Sequence, residues 1–232
     1  MKIFYGVPLF ESKEDYMKFK KIVLASASPR RLELLRQIGI EPEVIVSHVE
    51  EVVTSTVPGE VVMELSRQKA EDVAKDQKAG TLVIGSDTVV AVDGKILGKP
   101  RDHKEAEEMI RSIEGRTHQV YTGVCMVLKT GDGEEDKISN FYDQTDVEVY
   151  PMTEEEILGY AGSDEPSDGT EGQICSTWID SVTGKPEWKD KAGAYAVQGY
   201  FGRYIKGMKG SYANVMGLPI SMLYQEMKKI EN

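Results

Sequence analysis

Apolar positions along the chain fall into two rhythms. KIVLAS (21–26) is a short apolar run and predicts a buried strand. Ser28 can then cap a helix, Pro29 suits its first turn, Leu32, Leu35 and Ile38 repeat at helical spacing, and Gly39 stands where it would end. EVIVS (43–47) predicts a second strand. Residues 58–78 predict a helix carrying Val62, Leu65, Lys69 and Val73 on one face. TLVIGSD (81–87) reads as a buried strand, and TVVAV and KILG flank Asp93-Gly94 as a hairpin. Asp102 caps a helix with the stripe Ala106, Met109, Ile110 and Ile113, closed by Gly115. HQVYTGVCMVLKT and KISNFYDQTDVEVY predict two long strands about the turn GDGEED. Thr153 and Glu156 form a capping-box pattern for a helix over 154–161. Residues 163–189, rich in Gly, Ser, Asp and Pro, predict a long loop. Short strands around AYAVQ and GRYIKG follow, then a last helix from Pro219 that buries Leu223, Met227 and Ile230. Helices mixed with frequent hairpins point to a mixed α/β fold, not a purely parallel sheet.

The 232 residues suit one large α/β domain or two small lobes. No apolar run approaches the roughly 20 residues of a membrane span, and the acid-containing start does not read as a signal peptide. Cys125 in an apolar strand and Cys175 in a polar stretch read as isolated reduced thiols of a cytoplasmic protein, not a disulfide framework or a zinc site. The formal charge of −11 is local: residues 131–170 hold 13 acids and one lysine, and the remainder has 27 basic against 26 acidic residues. That balance does not favour a nucleic-acid partner. The acidic stretch reads as solvated loops and helix starts.

The stretch SASPRR (26–31) carries the first candidate chemistry. A helix start bears partial positive charge, so Arg30 and Arg31 are locally unfavourable there unless an anion sits beside them. Strand, Ser-Ala-Ser turn and helix start make an anion cradle, to which Ser26 and Ser28 add hydroxyls and the arginines forked donors. The plain alternative is two surface arginines paired with acids elsewhere. Lys69 lies on an apolar stripe and either points inward or snorkels from the helix edge. Asp87 ends a buried strand, where it either binds a cation or substrate or caps the next turn. Lys99 in LGKP and Glu51 in SHVEE are candidates only in company, since such residues are usually solvated. Several cations, two acids and hydroxyls together describe a site for a polyphosphate with a divalent metal.

The motifs LASASPRRLELL, SRQKA, IGSDTVV, LGKP, GRTHQVYTGV, DKAGAYAVQG and GSYANVMGLP occur in the order of the Maf (septum-formation-inhibitor-like) nucleotide pyrophosphatases. The chain resembles that family over about residues 21–231. The resemblance implies an elongated mixed sheet flanked by helices, like that of inosine-triphosphate pyrophosphatases, with two lobes around a nucleotide cleft. It implies hydrolysis of a nucleoside triphosphate to the monophosphate and pyrophosphate, with Mg²⁺ or Mn²⁺, by a homodimer. By position, Ser26, Arg30 and Arg31 match the phosphate motif, Lys69 and Lys99 the site lysines, Asp87 the general base, and Glu51 an acid near the metal. Arg30, Thr88 and Gln198 look like the subgroup acting on dTTP and UTP; Asp87 as base or chiefly as metal ligand stays open. Two departures stand out: residues 1–19 form an extension to the domain of residues 20–232, and residues 167–189 an insertion with Trp178 and Trp188. The insertion is expected to be a lid, a dimer contact or a disordered loop. The rival readings are a nucleotide-binding regulator of cell division without turnover and a nucleic-acid-binding module.

Overall fold

Twelve residues of continuous strand, Thr81–Val92, form the axis of the molecule. The computed structural model describes residues 19–131, 133–162, 178–180 and 183–231. Its elements are β1 (Lys21–Leu24), α1 (Pro29–Gln37), β2 (Glu43–Val44), α2 (Pro58–Ala74), β3 (Thr81–Val92), β4 (Lys95–Leu97), α3 (His103–Ile113), β5 (Thr117–Leu128), β6 (Lys137–Val149), α4 (Glu154–Ala161), β7 (Ile205–Lys209), α5 (Tyr212–Val215) and α6 (Ile220–Glu231). Two 3₁₀ turns, Ala192–Ala194 and Tyr200–Tyr204, precede β7.

Among the described residues seven strands form one mixed sheet in the order β2-β1-β3-β5-β6-β7, with β4 on β3. β1 runs parallel to both β2 and β3, and the other pairings are antiparallel. The mixed α/β expectation is therefore met. β3 pairs with β5 from Leu82 to Ala91 along one edge. Along its other edge β1 covers it to Ile84 and β4 from Val90. Between them, among the described residues, Gly85–Val89 has no neighbouring strand on that side. The backbone and side chains of this gap are available for a site.

Alternation along β3 decides what meets each face. Leu82 and Ile84 pack with Leu34 and Leu35 of α1 and Leu223 and Met227 of α6. Val90 and Val92 lie on the same face but join a different cluster with α3, α4, Tyr195, Phe201 and Trp188. Ser86 and Thr88 fall between these two cores. On the opposite face Val83 meets Ala70 and Val73 of α2, and Val89 meets Val61, Val62 and Leu65. Asp87 shares that parity and points toward α2.

Several boundaries differ from the sequence expectation. The helix expected over 58–78 ends at Ala74. The strand expected over EVIVS is only Glu43–Val44, with one further bond from Ile45 N to the Leu24 carbonyl. Its partner β1 turns away into the Ser-Ala-Ser loop, so no ladder remains. AYAVQ is not a strand: Gly193 and Ala194 have φ of 69° and 61°, which turn the chain. Ser28 takes the N-cap position but makes no side-chain cap, and α1 has no acid in its first turn. TLVIGSD and TVVAV are one strand. The capping box of Thr153 and Glu156 and the helix 154–161 form as expected. Within the long loop expected over 163–189, Asp180, Glu187 and Trp188 are buried, while Ile179 and Thr183–Lys185 are exposed; an Ile179–Pro186 bridge joins the two sides. Cys125 is a buried free thiol, pushed up to about 12 by burial; Cys175, most of the 1–19 extension and the first part of the proposed insertion lie outside the described residues.

Candidate active site

A cleft of about 530 Å³ opens where the two cores meet, beside the strand gap of β3. Ser26, Arg30, Arg31, Lys69, Asp87, Thr88, Lys99 and Gln198 all line it. Glu51 joins them through Lys69. All nine residues nominated from the sequence thus come together.

Lys69 projects from α2, its Nζ 2.5 Å from Asp87 Oδ1 and 3.0 Å from Glu51 Oε1. Its inward reading is the one realised, with the side chain 17% exposed. The reach depends on how closely α2 lies on the sheet. A Cβ at Gly85 would overlap the Ser66 carbonyl and stand 2.7 Å from Ala70 N, and one at Gly123 would overlap the Val62 carbonyl. Gly123 is the register partner of Asp87. Two glycines under one helix therefore bring Lys69 onto the carboxylate.

The two arginines have different environments. Arg31 donates from Nε to the Gly217 carbonyl at 2.9 Å, from Nη1 to Ser26 Oγ at 3.0 Å and to the Ser86 carbonyl at 2.8 Å, and from Nη2 to Thr88 Oγ1 at 3.2 Å. Four of its five N–H donors are committed to the protein. It fastens the β1 turn, the open edge of β3 and the Gly217 loop to one point. Burial lowers the Arg31 pKa, against which Asp87 and Glu51 pull upward. Arg30, the residue before it, instead meets Asp180 Oδ2 at 2.5 Å. The backbone N–H of Ser28 turns back to Ser26 Oγ at 3.2 Å, shaping the loop before α1.

Other participants lacked a signal strong enough to single them out. Buried Ser86 donates to the Gly217 carbonyl, and Thr88 contacts Thr122, whose hydroxyl donates to the Asn214 carbonyl. Asn214 donates to Val120 and Thr145, so one residue of GSYANVMGLP ties α5 to β5 and β6. Gly217 has φ of 106°, a backbone that favours glycine. Lys191, in DKAG, lines the cleft and pairs with Asp180 at 2.9 Å. Burial lowers its pKa, Asp180 raises it and Arg30 lowers it further. A second cavity of about 410 Å³ adjoins the first, shares Pro29, Arg30 and Gln198, and is walled by Trp178 and Tyr200. These two rings stack on each other, with Arg203 against the face of Tyr200.

A mixed sheet with a cation- and hydroxyl-lined cleft, fronted by an uncapped helix start, defines a protein built to hold a polyanion. The chain belongs to the Maf-like protein family, whose model matches residues 21–230. It is 44% identical over 209 residues to the dTTP/UTP pyrophosphatase of Lachnoclostridium phytofermentans, covering 90% of this chain and 94% of that one. It is 45% identical to the dTTP/UTP pyrophosphatase of Agathobacter rectalis, with 90% and 97% covered. The dTTP/UTP pyrophosphatase of Bacillus cereus is 39% identical, with 95% of each chain covered. Among solved structures the Staphylococcus aureus Ham1 protein matches with a TM-score of 0.44 at 17% identity, over 90% of this chain and 99% of that one.

Proposed function

We propose that this protein hydrolyses dTTP and UTP to the nucleoside monophosphate and pyrophosphate. The observation that carries the reading is the cluster Glu51–Lys69–Asp87 set in the same cleft as the Ser26–Arg31 turn. It supplies a carboxylate for an attacking water beside fixed donors for a phosphate chain, and relatives covering at least 90% of this chain bear that activity in their names.

In the proposed reaction Asp87 accepts a proton from water as its oxygen bonds the α-phosphorus. The bond from that phosphorus to the bridging oxygen breaks, and pyrophosphate leaves with the electron pair. Lys69, Lys99 and Arg30 balance the charge that accumulates on the departing oxygens. Arg31 contributes mainly by holding Ser26 and the strand gap in place. Gln198 offers both a donor and an acceptor and reads the pyrimidine edge, with Thr88 beside it.

Glu51 and Asp87 converge on one cation, the Lys69 ammonium. Among the described residues no group of three or more His, Cys, Asp or Glu could hold a metal. Two carboxylates completed by substrate oxygens fit Mg²⁺ or Mn²⁺, so Glu51 and Asp87 are the residues that would hold it. When bound, such an ion supplies positive charge to the phosphate oxygens. Asp87 in this scheme serves as base, as ligand, or as both.

We extend the proposal to a cytoplasmic homodimer, in keeping with the family resemblance; no helix among the described residues is long and apolar enough to cross a membrane. The test is pyrophosphate release from dTTP, UTP, CTP, GTP and 7-methyl-GTP, with and without EDTA. Release from dTTP and UTP is expected. Binding of these nucleotides without release would make the protein a nucleotide-responsive regulator instead. A purine preference would remove the role given to Gln198 and leave the phosphate end intact.

A further inference from the structure

We infer that Asp180 is a positioning residue of this site, holding Arg30 and Lys191 at the cleft for the nucleotide. The inference rests on the proposed reading of the cleft as a nucleotide site. Asp180 belongs to the segment that interrupts the family's motif order, and no residue of that segment was nominated from the sequence.

The Asp180 carboxylate is 4% exposed, and each of its oxygens has a defined task. Oδ1 accepts from Thr183 N at 3.1 Å, which closes a local turn. Oδ2 accepts from Arg30 Nη2 at 2.5 Å and from Lys191 Nζ at 2.9 Å. Both cations line the cleft. Unheld, two positive side chains with many rotamers would repel each other and scatter into solvent. A buried carboxylate between them removes that repulsion, while one anion against two cations leaves a net positive charge for the ligand. Arg30 spends one N–H on Asp180 in these contacts, whereas Arg31 spends four on the protein. Arg30 is therefore the guanidinium better able to turn toward a ligand.

The platform under Asp180 is itself anchored. Its backbone N–H donates to the Lys185 carbonyl and its carbonyl accepts from Gly184 N, both at 2.8 Å. Seven residues on, Glu187 accepts from Tyr200 N at 2.6 Å, Phe201 N at 2.9 Å and the Tyr160 hydroxyl at 3.2 Å. Trp188 is 1% exposed in the core. A carboxylate so fixed can set the direction of a longer, softer arginine.

The test compares steady-state hydrolysis of UTP by the wild-type protein, Asp180→Asn and Asp180→Glu. Asp180→Asn keeps the shape and removes the charge, so KM should rise about tenfold, and kcat should fall with it because Arg30 also balances charge on the departing oxygens. Asp180→Glu, with the charge retained on a longer arm, should fall between the two. An unchanged KM, or a lower one (Asp180 competing with the substrate for Arg30), would overturn the inference. Should Asp180→Asn not fold, Asp180→Glu decides alone: a wild-type KM in that variant would overturn it. A wild-type protein that turns over no nucleotide would instead sink the functional reading, so the two failures are separable.

Discussion

At the scale of single residues, the doubled arginine serves two purposes. Arg31 is a structural fastener whose loss strands the Ser86 carbonyl and takes one of two donors from the Gly217 carbonyl, so Arg31→Leu should cost about 2–4 kcal/mol in urea denaturation, well beyond a surface arginine. Asp87→Asn should lower kcat by on the order of 10²–10⁴-fold with little change in fold, checked by pyrophosphate release. His118 lies fully buried behind the site, its Nε2 2.8 Å from the Tyr195 hydroxyl, and burial pushes its pKa down to about 4. The folded state thus resists protonation that the unfolded chain accepts near pH 6.5. Between these values the unfolded chain binds more protons, so stability contributed by neutral His118 is present above pH 6.5 and lost as pH falls toward 4, by up to about 3 kcal/mol. His118→Gln should flatten that part of the stability-against-pH curve. The residues that bear charge at unusual places, Arg30, Arg31, Lys69 and Asp87, were legible in the sequence because each conflicts with its local setting. Asn214 and Ser86 were not, since their partners lie 94 and 131 residues away.

At the scale of elements, the close seat of α2 on β3 and β5 sets the reach of Lys69. A methyl group at Gly123 would meet the helix backbone, which no side-chain rotation can relieve. Gly123→Ala should therefore lower the melting temperature and also reduce turnover by lifting Lys69 from Asp87, whereas Gly131→Ala, with nothing within 4 Å, should leave both unchanged. Helices were readable from local signals: the Asp102 cap, the box of Thr153 and Glu156, and the stripe of α6 all recur in the structure. Short strands were less so. EVIVS has the composition of a strand, but its neighbour ends after Leu24, and AYAVQ is bent by residues of positive φ. Whether a strand forms depends on a partner that local sequence does not disclose.

At the scale of the molecule, the cleft gathers groups from the turn after β1, from α1, α2 and β3, and from described residues between Trp178 and Gly217. EDTA should abolish turnover and added Mg²⁺ restore it, while thermal stability stays within a few degrees, because the fold closes on its own apolar cores. The mixed sheet could be anticipated from the alternation of helices and hairpins. The lid alternative put the insertion near the cleft, but the packing of Asp180, Glu187 and Trp188 was not readable, because the polar composition looks like loop and the anchors Glu187 and Trp188 act through distant neighbours. β3 and β5 pass unbroken through both cores and are bonded to each other along nearly their whole length. Such a beam does not fold at its midpoint. Ligand entry and product escape must come from the rim swaying over a stationary floor, and the amide protons of β3 that bond to β5 should exchange equally slowly whether or not nucleotide is present.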